Sequence, residues 1–396
     1  MITLNHTEKT HYVIADMDDF TTEIPNQTIT ISGKTYTAED ARATSGKPSR
    51  LQTHFRKQEG EESFLAALSD FLAEWFDGSD TVKVHTSGST GTPKALHVEK
   101  RRMMNSAMLT VSFLHLRRGE NALLCMPLQY IAGKMVVVRA LVAGLNLIPV
   151  TPCGHPLQSI DLPLTFGALI PMQVYNSLQN PIECERLKNI RHLIIGGGAV
   201  DPAIVQTLRS FPHGVWSTYG MTETLSHIAL RKLNGPDASE WYTPFDQVAL
   251  SLSDENTLVI DAPLVCPERL TTNDIVEFNR SRQFRVIGRK DNTINTGGVK
   301  VQIEQVEAAL KPLLPLPFLI TSAPDIKFGE RIVLLVQATS LSDEGQEAVS
   351  KAIGQLPAYW RPKQTIPVNA LPLTGTGKPD RATAKAMARD ACNIDG

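Results

Sequence analysis

The sequence predicts an α/β protein. A large N-terminal domain over residues 1–290 is built on mainly parallel strands covered by helices and carries a small antiparallel barrel-like part at about 245–290; a small α+β C-terminal domain follows over 291–396. Three observations predict it. Between residues 82 and 230, short apolar runs alternate with helical stretches, the pattern of a parallel sheet covered on both faces. From 248 to 288 the texture changes to short strands separated by turn residues, which reads as antiparallel. Beyond 291, strand and helix patterns mix on a smaller scale.

In chain order, Thr28-Ile29-Thr30-Ile31, Ser32-Gly33 and Thr35-Tyr36-Thr37 form a strand, turn, strand pattern and predict a hairpin. Phe64, Leu65, Leu68, Phe71, Leu72, Trp75 and Phe76 recur at steps of three and four, so 63–76 is an amphipathic helix whose apolar face needs a partner. Buried strands are expected at 82–84, 122–125, 147–150, 166–170, 193–195 and 215–217, with helices at 103–114 and 135–143 between them. Shorter strands follow at 257–260, 274–278 and 284–287; the last region has helices at 302–310 and 343–356 and a strand at 331–337. A site is expected at loops following the strand ends of the parallel sheet.

Composition bounds the function. The chain is 42% apolar and 20% charged with a formal net charge of -2, which gives no electrostatic reason to expect nucleic acid or an anionic membrane as partner. Five cysteines, none in a C-x-x-C pair, read as reduced thiols rather than a metal or redox site. The N-terminus lacks a basic region followed by an apolar run, and no stretch approaches 18 apolar residues. The expectation is a cytoplasmic protein without a membrane span.

Six segments carry chemistry. Thr86-Ser87-Gly88-Ser89-Thr90-Gly91-Thr92-Pro93-Lys94 follows an apolar strand. Its glycines let backbone N–H groups turn toward one anion, its hydroxyls add donors, and Lys94 adds a charge. Pro93 before Lys94 and Ala95 after it exclude a Walker loop. On composition, a phosphate cradle and a plain surface turn stand equal. Further on come Gly196-Gly197-Gly198-Ala199, Ser217-Thr218-Tyr219-Gly220-Met221-Thr222-Glu223, Thr272-Asn273-Asp274, and Gly288-Arg289-Lys290-Asp291 with Gly297-Gly298. Thr374-Gly375-Thr376-Gly377-Lys378 lies near the end. Taken singly each has a bland reading: a strand-to-helix turn, a core tyrosine, a turn aspartate, a basic linker or a solvated tail lysine.

Together and in this order, these segments resemble the adenylate-forming superfamily of acyl-CoA synthetases, adenylation domains and luciferases. The resemblance runs from about residue 80 to the end. It implies ATP and Mg²⁺ as cofactors and an acyl-adenylate intermediate. Thr86, Ser87, Gly88, Ser89, Thr90, Gly91 and Lys94 would grip the phosphates; Gly197, Gly198 and Ala199 would line the adenine, and Tyr219 and Gly220 would complete that site. Thr222 would reach the α-phosphate, Glu223 would hold Mg²⁺, and Asp274 and Arg289 would bind the ribose. Lys378 would bridge the attacking carboxylate and the α-phosphate. Asp291 would be the hinge of a mobile C-terminal domain, and Gly297 and Gly298 would line the thiol tunnel. Asn273 stands where the family has glycine. Gln129-Tyr130 stands where it has an aromatic followed by histidine, so Tyr130 keeps a ring but no imidazole.

The segments Met126-Pro127-Leu128-Gln129-Tyr130-Ile131-Ala132-Gly133-Lys134 and Tyr219 to Ala229 resemble the short bacterial o-succinylbenzoate–CoA ligases of menaquinone biosynthesis. Such an acid has a second carboxylate that needs a cation or donor; Lys134, Arg139, Ser226 and His227 are candidates, and His227 reads equally as structural. The expected partners are a small carboxylic acid, ATP and coenzyme A, with a homodimer left open. Alternatives are another aryl or acyl acid ligase, an enzyme loading a carrier-protein thiol, a non-catalytic nucleotide-binding relative and an unrelated ATP phosphotransferase. No room for a fused carrier domain is expected after Arg381.

Overall fold

The computed structural model describes residues 20–44, 46–85, 95–374 and 378–393. By contacts the chain divides into two units. The larger reaches Ala249 and includes Asp261–Arg269; the other holds Leu250–Ile260 and everything from Leu270 onward.

The larger unit contains strands β1 (Thr28–Ile31), β2 (Lys34–Thr37), β3 (Thr81–His85), β4 (Ala95–Glu99), β5 (Asn121–Leu124), β6 (Asn146–Pro149), β7 (Phe166–Leu169), β8 (His192–Ile195), β9 (Gly214–Gly220), β10 (His227–Lys232) and β11 (Thr243–Pro244). Its helices are α1 (Ala38–Ala41), α2 (Arg50–Glu59), α3 (Phe64–Trp75), α4 (Lys100–Leu114), α5 (Ile131–Ala143), α6 (Pro171–Gln179), α7 (Pro181–Lys188) and α8 (Pro202–Leu208). Nine strands form one sheet in the order β11-β10-β9-β8-β7-β5-β6-β1-β2. The run from β9 to β1 is parallel, while β10 with β11 and β2 close the two edges antiparallel. The predicted hairpin is β1–β2; Ser32 and Gly33 both take positive φ, +49° and +83°, as a two-residue turn between twisted strands requires.

One expected strand falls elsewhere. The run at 82–84 does not join the parallel sheet; β3 pairs antiparallel with β4 in a separate two-stranded ladder. β3 and β4 are antiparallel neighbours, so an apolar run that matched the buried-strand pattern belongs to a separate antiparallel pair.

Helix α3 starts at the predicted place, where the Ser63 hydroxyl accepts from the Ala66 N–H. It buries Leu68, Phe71, Leu72 and Trp75, each side chain worth about 1.5–3 kcal/mol of transfer free energy. Helix α5 is enclosed more completely, because every residue from Gly133 to Ala143 is buried. A helix apolar nearly all round belongs inside the protein, which makes its two cations, Lys134 and Arg139, conspicuous.

The second unit has strands β12 (Ala249–Leu252), β13 (Thr257–Asp261), β14 (Leu270–Phe278), β15 (Phe284–Arg289), β16 (Thr293–Thr296), β17 (Val299–Gln302), β18 (Phe318–Asp325), β19 (Gly329–Gln337) and β20 (Gln364–Val368). Its helices are α9 (Ile303–Leu310), α10 (Asp343–Gly354) and α11 (Arg381–Asn393). Strands β12 to β15 form an open four-stranded ladder among the described residues, where a barrel-like part was expected; the turns connect neighbours in sequence and nothing joins β12 to β15. The later strands make a second sheet, with Val306, Leu310, Ile320, Leu334 and Val336 in its core.

Candidate active site

At the carboxyl ends of the parallel strands, β8 runs into Gly196, Gly197, Gly198 and Ala199, the last three exposed. β9 lies beside it, with Ile195 opposite Ser217, so Tyr219 leaves the neighbouring strand end two residues later. The expected base-binding residues therefore come together at the sheet edge where open α/β folds hold ligands. The Tyr219 ring packs edge-on to Tyr242, centroids 5.9 Å apart.

After Tyr219 the chain makes a tight loop that displays Thr222 half-buried and Glu223 exposed. Thr224, fully buried, organises it: its hydroxyl accepts from the Met221 N–H at 3.0 Å and faces the Met221 and Ser226 carbonyls. Leu225 is held at φ +64°, a left-handed conformation costing a side-chain-bearing residue roughly 1–2 kcal/mol. At Gly220 an added Cβ would lie 2.5 Å from the His227 Cα and against the Ser226 carbonyl, so no other residue fits this return of the chain. An exposed carboxylate beside a hydroxyl suits Mg²⁺, which keeps several waters and takes one or two protein carboxylates plus substrate phosphates.

Behind the loop sits a buried polar chain. Arg139, 2% exposed on α5, donates from Nη2 to Ser226 Oγ at 2.7 Å. Ser226 Oγ is 3.2 Å from His227 Nδ1, and His227 Nε2 is 3.0 Å from Thr110 Oγ1, which reaches the Ser106 carbonyl. A guanidinium only donates, so one proton direction satisfies the row: Arg139 to Ser226, Ser226 to Nδ1, Nε2–H to Thr110, Thr110 to the carbonyl. Burial, and secondarily the Arg139 charge, hold His227 well below its ordinary pKa, so the imidazole is neutral. Burial alone pushes Arg139 down to about 9. Its Nε has no partner, it lies 5.9 Å from the Phe166 ring, and among the described residues no carboxylate pairs with it.

Lys134 does not join this group. Its ammonium donates to the Lys83 carbonyl at 2.6 Å, pairs with Glu74 at 3.2 Å and lies 4.9 Å over the Phe71 ring. Glu74 in turn accepts from the Lys83 N–H. The pair engages both backbone groups of Lys83 on β3. Tyr130 caps the start of α5 and is half-buried. Beside it a cleft of about 490 Å³ is lined by Phe64, Phe71, Glu74, Pro127, Gln129 and Lys134.

In the second unit, Asp274 and Arg289 meet across β14 and β15, Arg289 Nη1 donating to Asp274 Oδ1 at 2.9 Å. The same guanidinium grips Asp291 through Nε and Nη2, both at 3.1 Å. Gly297 and Gly298 form the two-residue turn between β16 and β17, both at positive φ (+59° and +81°), which glycine adopts without steric cost. Lys378 is exposed on a short turn whose base is the Leu373–Pro379 bridge; its N–H donates to Thr374 Oγ1 and its carbonyl accepts from the Thr374 N–H. Three residues on, Arg381 fastens that turn to α9 with two bonds to Glu307, at 2.6 and 2.7 Å. The expected phosphate grip of Thr86, Ser87, Gly88, Ser89, Thr90, Gly91 and Lys94 lies outside the described residues, as do Gly375, Thr376 and Gly377.

The sequence reading missed Thr224 and Tyr242. The spacing of a buried threonine two residues before Ser226 gives no periodic signal, and Tyr242 is distant in sequence from the segment it packs on.

Known proteins share the sequence pattern and the fold of this chain. The family model described as AMP-binding enzyme matches residues 4–262. A probable 2-succinylbenzoate–CoA ligase of Mycobacterium tuberculosis is 30% identical, over 81% of this chain and 87% of that protein. The crystal structure of an acyl-CoA synthetase (AMP-forming)/AMP-acid ligase II-like protein from Dyadobacter fermentans superposes with a TM-score of 0.57 at 31% identity, covering 81% of this chain and 93% of its own. The fold is also that of the o-succinylbenzoate-CoA synthetase of Bacillus subtilis, solved with an acyl-adenylate (TM-score 0.66, 20% identity, 76% of this chain and 68% of that one). The glycine turn, the Tyr219–Glu223 loop and the match over most of the chain lead to one conclusion: this chain belongs to the AMP-binding enzyme family.

Proposed function

We propose that this chain is an ATP-dependent acid–thiol ligase that converts o-succinylbenzoate to its coenzyme A thioester through an acyl-adenylate. The observation that carries the choice of acid is Arg139. A buried guanidinium without a carboxylate partner is costly and is relieved by an anion. A dicarboxylate supplies one: its second carboxylate accepts from Arg139 Nε, while the first reacts. A neutral His227 adds no competing charge and no repelling one.

The first step joins two anions. A carboxylate oxygen forms a bond to the α-phosphorus of ATP as the bond to pyrophosphate breaks, so the protein's task is positioning and charge neutralisation. Tyr219 and the glycine turn hold the base, Asp274 and Arg289 hold the ribose, and Thr222 donates to the α-phosphate. Mg²⁺ bound at Glu223 would neutralise the departing phosphates. Lys378 spans the two reacting anions, a donor aimed at developing charge. In the second step the thiol sulfur of coenzyme A attacks the acyl carbon, the bond to AMP breaks, and the thiol gives up its proton. Lys378 has then finished its work, and the domain that carries it turns about Asp291 to bring Gly297 and Gly298 to the thiol.

Acid-dependent pyrophosphate exchange tests the reading. Exchange with o-succinylbenzoate and weak or absent exchange with benzoate and fatty acids is expected. A monocarboxylate that outperforms o-succinylbenzoate would refute the choice of acid. Product formation with free coenzyme A, rather than with a carrier protein alone, tests the acceptor.

A further inference from the structure

Tyr219 is not held by its own strand alone. Ser217 and Tyr219, two residues apart, share one face of β9, and Arg231 on β10 lies opposite Ser217. Tyr242, just before β11, crosses this face. Its hydroxyl is 2.9 Å from Ser217 Oγ, its ring takes the Arg231 guanidinium at 5.4 Å, and it meets the Tyr219 ring at 61°. Two strands thus fix Tyr242 at both ends: β9 holds the hydroxyl through the buried Ser217, and β10 holds the ring face through Arg231. Both tyrosines are only half-buried, so this is the exposed rim of the sheet and not its packed interior.

We propose that Tyr242 is a positioning residue for nucleotide binding: it locks the Tyr219 ring in the orientation that receives the base. The proposal rests on Tyr219 being the adenine platform. A ring standing edge-to-face on another restricts its rotation, so the platform is ordered before ATP arrives and less freedom is lost on binding. Ser217 and Arg231 act one step further out, by holding Tyr242.

The test is the affinity of the full-length protein for Mg-ATP, by calorimetry, alongside steady-state constants. Tyr242→Ala should weaken ATP binding about three- to tenfold, the span expected for one aromatic pair. Its kcat at saturating ATP and its KM for the acid should stay unchanged, a split that a general loss of folding would not give. Tyr242→Phe keeps the ring and should recover most of the affinity. Tyr242→Leu fills the space without a ring; it should behave like Tyr242→Ala and serves if the alanine variant is unstable. Wild-type ATP affinity in both the alanine and leucine variants, or a phenylalanine variant as weak as they are, would overturn the proposal. Tyr219→Ala, measured in parallel, separates the two levels. If it too binds ATP normally, the platform falls together with the proposal; if it alone loses affinity, only the role of Tyr242 falls.

Discussion

At the scale of single residues, Arg139 and Lys134 make the sharpest contrast. Both are cations on a buried helix five residues apart, yet only Lys134 has a carboxylate, Glu74. Lys134 is satisfied by its own fold, whereas Arg139 keeps an unpartnered Nε, which is why the proposed function gives Arg139 the second carboxylate. Arg139→Met should therefore stabilise the free protein or leave it unchanged, because replacing an unpaired buried charge by an apolar side chain removes a desolvation cost. It should also abolish the rise in melting temperature produced by o-succinylbenzoate and lower kcat/KM for that acid by about 30- to 150-fold, the equivalent of a charged hydrogen bond of roughly 2–3 kcal/mol. Thermal shift with and without the acid reads both. The pH dependence follows from the sign of the shift. The folded pKa of Arg139 lies below its unfolded value, so its burial cost is fully present below about pH 9 and fades as pH rises through that value. Hence the gain in stability from Arg139→Met should be largest below pH 9 and shrink above it. Lys378 is a different case. It is exposed, and its side chain has no partner among the described residues, so its removal should cost little stability. Lys378→Ala should slow adenylation by about a hundred- to a thousandfold while thiolysis of supplied acyl-adenylate survives. Normal rates in both half-reactions would withdraw its assignment.

At the scale of elements, the loop after β9 does for Thr222 and Glu223 what α5 does for Arg139: it fixes side chains by its backbone. The loop closes only because Gly220 lets the returning chain touch it and because the Thr224 hydroxyl accepts from the Met221 N–H and turns its one proton toward the Met221 and Ser226 carbonyls. Gly220→Ala should displace Glu223 and reduce pyrophosphate exchange at least about a hundredfold, the effect expected when a donor or ligand shifts by an ångström. Raising Mg²⁺ should not restore it, and a variant with wild-type exchange would show that the loop tolerates the extra carbon. Such elements also mark how far the sequence could be read. Short apolar runs placed β5 to β9, because strands buried on both faces are apolar throughout, and steps of three and four placed α3. The motif strings marked Tyr219, Glu223, Asp274, Arg289 and Lys378. What stayed hidden depended on contacts between distant segments. The pairing of β3 with β4, the capping of Lys83 by Glu74 and Lys134, the crossing of Tyr242 over Tyr219 and the open edge of the β12–β15 ladder leave no periodic trace.

At the scale of the whole molecule, the two half-reactions make opposite demands, and the chain around Asp291 is where they meet. Adenylation needs Lys378 at the nucleotide, whereas thiolysis needs that position vacated, so a reorganisation between steps is required. The segment that must absorb it is short. β15 ends at Arg289, a single turn spans Lys290–Asn292, and β16 begins at Thr293. In the observed state that turn is held from both sides: Arg289 clamps the Asp291 carboxylate with two bonds, and Asn292 donates to Glu304 on α9 at 2.5 Å. Arg289 also holds Asp274, so one guanidinium links Asp274, the carboxylate proposed to bind ribose, to the proposed hinge. Asp291→Pro removes the clamped carboxylate and fixes φ near -65°. A chain frozen there should still form the adenylate and fail to turn. Single-turnover assays should show adenylation within about tenfold of wild type and thiolysis slowed by at least about a hundredfold, the separation expected when a gating motion and not the chemistry is lost. Asp291→Ala, which removes the clamp and keeps the backbone free, should retain both steps. Equal loss of the two half-reactions in the proline variant would exclude Asp291 as the hinge, and loss of thiolysis in the alanine variant as well would assign the effect to the carboxylate instead of to backbone freedom.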